Sequence, residues 1–296
     1  MKRTIAVTGS EGFVGSHLVK LLEEDDYKVI RIDSKLGLDI INDSVCESIS
    51  AFDVVVHLAA KIYVPESFEN PREFYYVNLI STLNMLELAR KNKAKFILQS
   101  SYLYGNPQYI PIDEKHPLQA HNPYAQSKLL CEQLCRGYNR DFGVPVTILR
   151  PFNIYGPGQS SLFLIPKIIH GIKSGHLQLD DPYPRRDYVH VNDAVNAIKL
   201  ALEYNLEFGI FNIGSGVSHS VKDIVDIVGQ ICKTEFEVTY SNHVRKNEIS
   251  SIECDYSEIT RVMNWSPKVS FEHGLAMIIA KENSKTLFSD ALRKTE

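Results

Sequence analysis

The stretch IAVTGSEGFVGSHLVKLL, residues 5–22, sets an apolar run, three glycines and an amphipathic run in immediate succession. The apolar run reads as a buried strand. After it, Val14, Leu18, Leu21 and Leu22 form a stripe at helical spacing. Gly9, Gly12 and Gly15 lie between the two, in a GxxGxxG spacing. A tight strand-to-helix turn aims backbone N–H groups at a ligand, and a helix N-terminus favours a pyrophosphate. Glycine permits such a turn and lets backbone and ligand come close. Phe13 and Val14, which open the helix, are counted with this cofactor cradle.

The next apolar run, KVIRID (28–33), ends on Asp33, with Ser34 beside it. A carboxylate at that place accepts hydrogen bonds from an adenosine ribose and repels a 2′-phosphate. NAD(H) is therefore expected over NADP(H). Arg31 points to the other strand face, whereas Lys35 keeps NADP(H) open as an alternative.

Outward from this unit, short apolar runs alternate with helical patterns. Strands are expected at 4–9, 28–33, 53–59, 95–101 and 145–153, and helices at about 13–24, 71–92 and 123–141. This alternation predicts an α/β fold, a Rossmann-type doubly wound parallel sheet covered on both faces. The short SKLGLDIIND connection after Asp33 predicts a lost or vestigial strand. After Gly156 the texture changes. Helices are expected at about 162–174, 192–204, 220–233 and 271–282, with a strand at 208–214. The expected division is a cofactor-binding domain of 1–152 plus about 187–213, and a smaller discontinuous α/β substrate lobe of about 153–186 and 214–296. The final SKTLFSDALRKTE reads as a frayed polar tail.

Composition narrows the function class. The 296 residues carry a net charge of −4, which gives no reason to expect nucleic acid or a membrane surface. No apolar run approaches the roughly 20 residues of a spanning helix. Five cysteines without a CxxC argue for reduced thiols and a cytoplasmic protein, and no cluster suggests a metal.

Two further features carry chemistry. In NPYAQSK (122–128) Tyr124 and Lys128 sit one turn apart on a helix. They are either a surface pair or a phenol acid/base with its own cation. In SSYLYG (100–105) Ser100 ends a strand. These pieces fall in order with HLAA (57–60), NLISTLNMLELA (78–89), RPFNIYGPGQ (150–159), RRDYVHVNDA (185–194), NIGSG (212–216) and NWSPKVSFEHGL (264–275). Over nearly its whole length the chain resembles an extended short-chain dehydrogenase/reductase of the NAD-dependent nucleotide-sugar epimerase/dehydratase family.

That resemblance implies roles. Tyr124 is the acid/base, its phenol brought below its usual range near 10 by the Lys128 ammonium and an oxidised nicotinamide. Lys128 also holds the nicotinamide ribose, and Ser100 stabilises charge on the reacting oxygen. Asp39 and Ile40 meet the adenine; Leu58, Ala59 and Ala60 line the cofactor; Asn78 braces it; Pro151 lies on its nicotinamide side. Glu66, Ser67, Ser101, Tyr102, Asn153, Arg186, Arg245 and Glu248 face a nucleotide-diphosphate sugar, the arginines suiting phosphate oxygens. Leu162, Phe163, Ile165 and Pro166 border the base. His57 and His190 read as structural. A homodimer through the helices near 78–91 and 123–141 is also implied.

The sequence departs from its relatives at Ser101 and Tyr102, where sugar-nucleotide dehydratases carry an acidic residue, so dehydration is disfavoured. The expected activity is NAD-dependent epimerisation of a nucleotide sugar at C4. A nucleotide-linked 4-keto-sugar reductase using NAD(P)H is the alternative, and a non-catalytic dinucleotide sensor stands behind both.

Overall fold

The computed structural model describes residues 3–241 and 248–293. The chain runs β1 (Thr4–Thr8), α1 (Phe13–Glu24), β2 (Lys28–Ile32), α2 (Asp43–Ser48), β3 (Val54–His57), α3 (Val64–Glu69), α4 (Pro71–Asn92), β4 (Lys95–Gln99), α5 (Pro123–Phe142) and β5 (Val146–Pro151). It continues through β6 (Asn153–Tyr155), α6 (Leu164–Lys173), β7 (His176–Leu179), β8 (Arg185–His190), α7 (Val191–Glu203) and β9 (Phe208–Ile213). Last come β10 (Ser218–Ser220), α8 (Val221–Cys232), β11 (Glu237–Tyr240), α9 (Ser257–Met263) and α10 (Phe271–Arg293).

In β1, Ile5 and Val7 pack on one face of the sheet with Leu18, Leu22 and Ile198, while Ala6 packs on the other with Met85 and Leu86. Burial on both faces requires helices on both sides, which is why the strands lack polar alternation. The main sheet has the order β2-β1-β3-β4-β5-β9, and all its pairs are parallel. From β1 the chain moves outward to β2, then returns to lay β3 on the other side of β1. The connections diverge there, and such a switch point opens a crevice beyond the strands' carboxyl ends. β2 is the sheet edge. Between it and β3 lie only a 3-10 turn (Ser34–Leu36) and α2, so the strand is lost there, as the short connection predicts.

The remaining chain forms β10-β8-β6 and a parallel β11-β7 pair. A separate core of Ile168, Ile172, Leu177, Val225, Leu275 and Ile278 holds α6, α8 and α10 around them. One expectation is corrected here. α10 continues through Arg293 instead of ending near 282, because no glycine or proline interrupts it after Gly274 and its Ala, Leu, Lys and Arg favour helix. No described helix is long and apolar enough to cross a membrane.

His57 pins the switch point, as an interior histidine. Its Nδ1 meets Thr8 Oγ1 at 2.9 Å and its Nε2 meets Thr82 Oγ1 at 3.1 Å, so one imidazole joins β1, β3 and α4. Burial, and then the charge of Lys128, push its pKa down to about 3. The unfolded histidine takes up a proton below its ordinary 6.5 while the folded one refuses it. His57 therefore stabilises the fold fully above pH 6.5, and that stability is lost as pH falls from there toward 3. Between pH 7 and pH 5 the loss from this group is about 2 kcal/mol. Urea midpoints at the two pH values should show that difference in the native sequence, and a slope shallower by that amount in His57→Gln.

Candidate active site

Each strand of the main sheet delivers its last residue to the same edge: Thr8, Ile32, His57, Gln99, Pro151 and Ile213. Gly9, Asp33, Leu58 and Ser100 follow directly after four of them. Gly9 turns the chain with φ +69°, and a Cβ there would lie 2.9 Å from the Ala59 nitrogen. A Cβ on Gly15 would lie 2.0 Å from the Gly9 carbonyl oxygen, so α1 abuts the turn with backbone alone. α1 starts after Gly12 with no side-chain cap and no acidic residue in its first turn. Its first N–H groups, from Phe13 onward, are thus left for an anionic ligand.

Asp33 accepts the Glu11 N–H through Oδ2 and the Lys35 N–H through Oδ1, both at 3.0 Å. It folds the turn around the glycines and carries its charge beside them. Arg31 is held by Glu23 at 2.8 Å and also lies 3.9 Å from the Glu11 carboxylate, and Lys35 Nζ donates to the Glu11 carbonyl at 3.2 Å. Ser34 is exposed in the adjoining 3-10 turn. Asp39 accepts the Ile41 N–H, and the Ile40 side chain is buried in the sheet core. Leu58 and Ala59 both donate their N–H to Thr8 Oγ1, at 3.1 and 3.2 Å, which holds the loop through Ala60 against the glycine turn. Asn78, inside α4, is fully engaged. It accepts the Lys61 N–H at 2.8 Å and donates to the Lys61 carbonyl and Ser127.

Ser100 is buried just past β4, and its Oγ has no hydrogen-bond partner. A buried orphan hydroxyl at a strand's carboxyl end is a group awaiting a ligand oxygen. Tyr124 and Lys128 lie on α5, whose start is capped by the Asn122 side chain on the Ala125 N–H at 2.7 Å. Burial pushes the Tyr124 phenol up, and the Ser101 side chain pulls in the opposite direction. Burial pushes the Lys128 ammonium down. For the chain by itself, desolvation is the largest influence on the phenol and holds it above its ordinary range.

On the other side of the crevice, Tyr102 donates to the Gly105 carbonyl at 2.6 Å and sets its ring edge-on to Phe152. Its hydroxyl is committed, so it shapes the wall. Pro151 is buried, and Asn153 donates to the Asp187 carbonyl at 2.9 Å. Arg186 is ion-paired with Glu248 and donates to the Ile249 carbonyl at 2.7 Å. Arg245 lies outside the described residues. Glu66 pairs with Lys61 at 2.7 Å, and the buried Ser67 hydroxyl donates to the Val64 carbonyl. Ile165 and Pro166 pack into the smaller core and Leu162 is exposed. His190 caps α7 by accepting the Asn192 N–H.

The glycine cradle, the uncapped α1, Asp33 and the orphan Ser100 hydroxyl fit a dinucleotide cofactor. A sequence model of the NAD dependent epimerase/dehydratase family matches residues 5–214. The chain belongs to that family. It is 32% identical to a putative UDP-glucose 4-epimerase of Methanocaldococcus jannaschii, over 95% of this chain and all of that protein. It is 28% identical to the GDP-6-deoxy-D-mannose reductase of Pseudomonas aeruginosa, over 96% of this chain and 99% of that one. The crystal structure of Thermotoga maritima UDP-glucose 4-epimerase with UDP-glucose superposes with a TM-score of 0.91 at 29% identity, covering 96% and 99% of the two chains.

Two buried features escaped the sequence reading. Arg150 and Glu132 form a two-pronged ion pair, and Asp187 accepts four donors from Ser215, Gly216 and Cys254. For Arg150 the available signal was an ionisable residue inside the apolar strand VTILRP. The closeness of Gly15 to Gly9 gives a direct test. Gly15→Ala should cost about 1–3 kcal/mol in urea unfolding, the range for forcing atoms into a packed site. Gly37→Ala is a poor control, since its φ is +78°; native protein is the reference.

Proposed function

We propose that this protein is an NAD-dependent nucleotide-sugar epimerase that acts at C4. The observation that carries the reading is the convergence of the orphan Ser100 hydroxyl, Tyr124, Lys128 and the three-glycine turn on one sheet edge, with no carboxylate at 101 or 102. In this reading the main sheet, 1–152 with about 187–213, holds NAD, and the smaller lobe holds the nucleotide. Gly9, Gly12, Phe13, Val14 and Gly15 hold the pyrophosphate. Asp33, with Ser34 beside it, holds the adenosine ribose. Lys128 holds the nicotinamide ribose. When bound, oxidised NAD supplies a hydride acceptor and a positive charge beside the phenol.

The chain's own groups do the rest. Tyr124 removes the proton from the C4 hydroxyl and returns it in the second half of the cycle. Ser100 donates to the same oxygen and steadies its changing charge. Arg186 exchanges its Glu248 partner for phosphate oxygens, leaving Glu248 for a ribose hydroxyl. The 4,6-dehydration open to some relatives needs a second base, and Ser101 and Tyr102 cannot provide one.

The runner-up, a nucleotide-linked 4-keto-sugar reductase, draws support from the missing strand after β2 and the likeness to GDP-6-deoxy-D-mannose reductase. Cofactor retention separates the two. Protein purified without added cofactor and then denatured should release near-stoichiometric NAD(H), and should interconvert UDP-glucose and UDP-galactose. Tyr124→Phe should keep that cofactor and lose roughly 100-fold or more in kcat. An empty site with one-way, NADPH-driven turnover of a keto sugar would replace this reading with the reductase. Retained NAD without turnover of any nucleotide sugar would point to a sensor.

We also infer a homodimer through α4 and α5. Their outer face carries a groove of about 350 Å³ lined by Leu79, Leu130, Leu134, Tyr138 and Phe142, and Phe142 is 58% exposed. Leu134→Asp should convert a dimer in sedimentation to a monomer at micromolar concentration. A monomeric native protein would refute the interface.

A further inference from the structure

We propose that Arg150 and Glu132 are positioning residues: Arg150 holds the Glu132 carboxylate away from Lys128, so that the Lys128 ammonium acts on the Tyr124 phenol unpaired. This rests on reading Tyr124 as the acid/base.

α5 places Tyr124, Lys128 and Glu132 at successive four-residue steps, on one side of the helix. A lysine and a glutamate four apart ordinarily attract each other across one turn. Here Lys128 and Glu132 are both buried, which strengthens that attraction. Yet among the described residues Lys128 enters no ion pair, and Glu132 turns to β5 instead. Arg150 Nε donates to Glu132 Oε1 at 2.9 Å and Nη2 donates to Oε2 at 2.6 Å. The third prong, Nη1, donates to the Tyr104 hydroxyl at 3.0 Å, and that hydroxyl donates to Asn212 Oδ1 at 2.6 Å. The guanidinium is thus fixed from α5, from the loop after β4 and from β9.

The surrounding groups leave the balance to these three charges. From β3, His57 faces Lys128 as a neutral ring. From α5, Cys131 and Cys135 face it as thiols that burial keeps protonated. From the loop after β4, Ser101 faces Tyr124, and burial keeps the Tyr104 phenol protonated between Arg150 and Glu114. Glu114 is turned to the Asn212 N–H at 2.6 Å. Arg150 and Glu132 offset one another as a two-pronged pair, and Lys128, one helical turn from Tyr124, remains as the net positive charge of the three. Without Arg150, the carboxylate would be free to take Lys128 as its partner, and the phenol would lose its cation.

The test is ultraviolet titration of the Tyr124 phenol in the NAD-loaded protein. It is read as the difference between each protein and its own Tyr124→Phe counterpart, so it needs no sugar. Glu132→Gln leaves the Arg150 charge uncompensated and should lower the phenol's pKa by about one unit; Arg150→Met frees the Glu132 carboxylate and should raise it by about one unit. The double variant Glu132→Gln with Arg150→Met removes both charges together and should return it to within about 0.3 unit of the native value. A purely structural role moves stability and does not move the pKa in opposite directions. Where Arg150→Met does not fold, Arg150→Lys replaces it; with its charge kept, it should leave the phenol within about 0.3 unit. A Glu132→Gln protein whose phenol stays within that margin, or moves upward, overturns the proposal. If the shifts appear but Tyr124→Phe retains full turnover, the charge arrangement stands and the assignment of Tyr124 as acid/base falls.

Discussion

Parallel strands joined by crossover helices must all end on the same side of their sheet. That constraint determines where this protein can do chemistry. Gly9, Asp33, Leu58, Ser100 and Pro151 are scattered over 140-odd positions of the chain, yet each stands at or just after the carboxyl end of one of β1 to β5. The parallel arrangement in turn depends on apolar strands that can be covered on both faces. Ile5 and Val7 on one face and Ala6 on the other are the first instance of it.

Within that edge, close approach of backbone to backbone matters as much as any side chain. The Gly9 carbonyl occupies the space a Gly15 side chain would need, so α1 begins directly at the turn and its first N–H groups point into the crevice. Thr8, His57, Thr82 and Asn78 then link the turn, the loop after β3 and α4 through buried hydrogen bonds. The Asn78 amide passes this on to Ser127, one residue from Lys128. The glycine turn and the helix bearing Tyr124 are therefore held in one hydrogen-bonded frame, which suits a reaction that needs cofactor and acid/base in fixed register.

The same frame explains why burial and charge compete at Tyr124. A dry pocket strengthens the influence of each charge, but it also penalises the ionised phenol. In the chain by itself the penalty prevails, and the phenol lies above its ordinary range. The surrounding polar groups are largely satisfied among themselves. The Ser100 hydroxyl is an exception, and it lies at the end of the strand that leads to the site.

The sequence by itself determined the class of fold, the glycine turn after the first strand, and the placing of Tyr124 and Lys128 one turn apart on a helix. These follow from local rules: apolar runs, glycines at a turn, and a four-residue helical step. It also signalled the missing strand after Asp33, because ten residues leave little room for one. Only the tertiary structure decided which polar groups were already spent. Ser67, Asn78 and Tyr102 look equally available in a sequence, but each is committed to a backbone carbonyl. Arg186 and Glu248 are far apart along the chain and become partners only when β8 meets the segment after β11. Arg150 and Glu132 lay unremarked in an apolar strand and a helix, since a buried ion pair is a property of two packed elements. Local patterns specify elements and their faces; hydrogen-bond partners and desolvation depend on what the fold brings across from elsewhere.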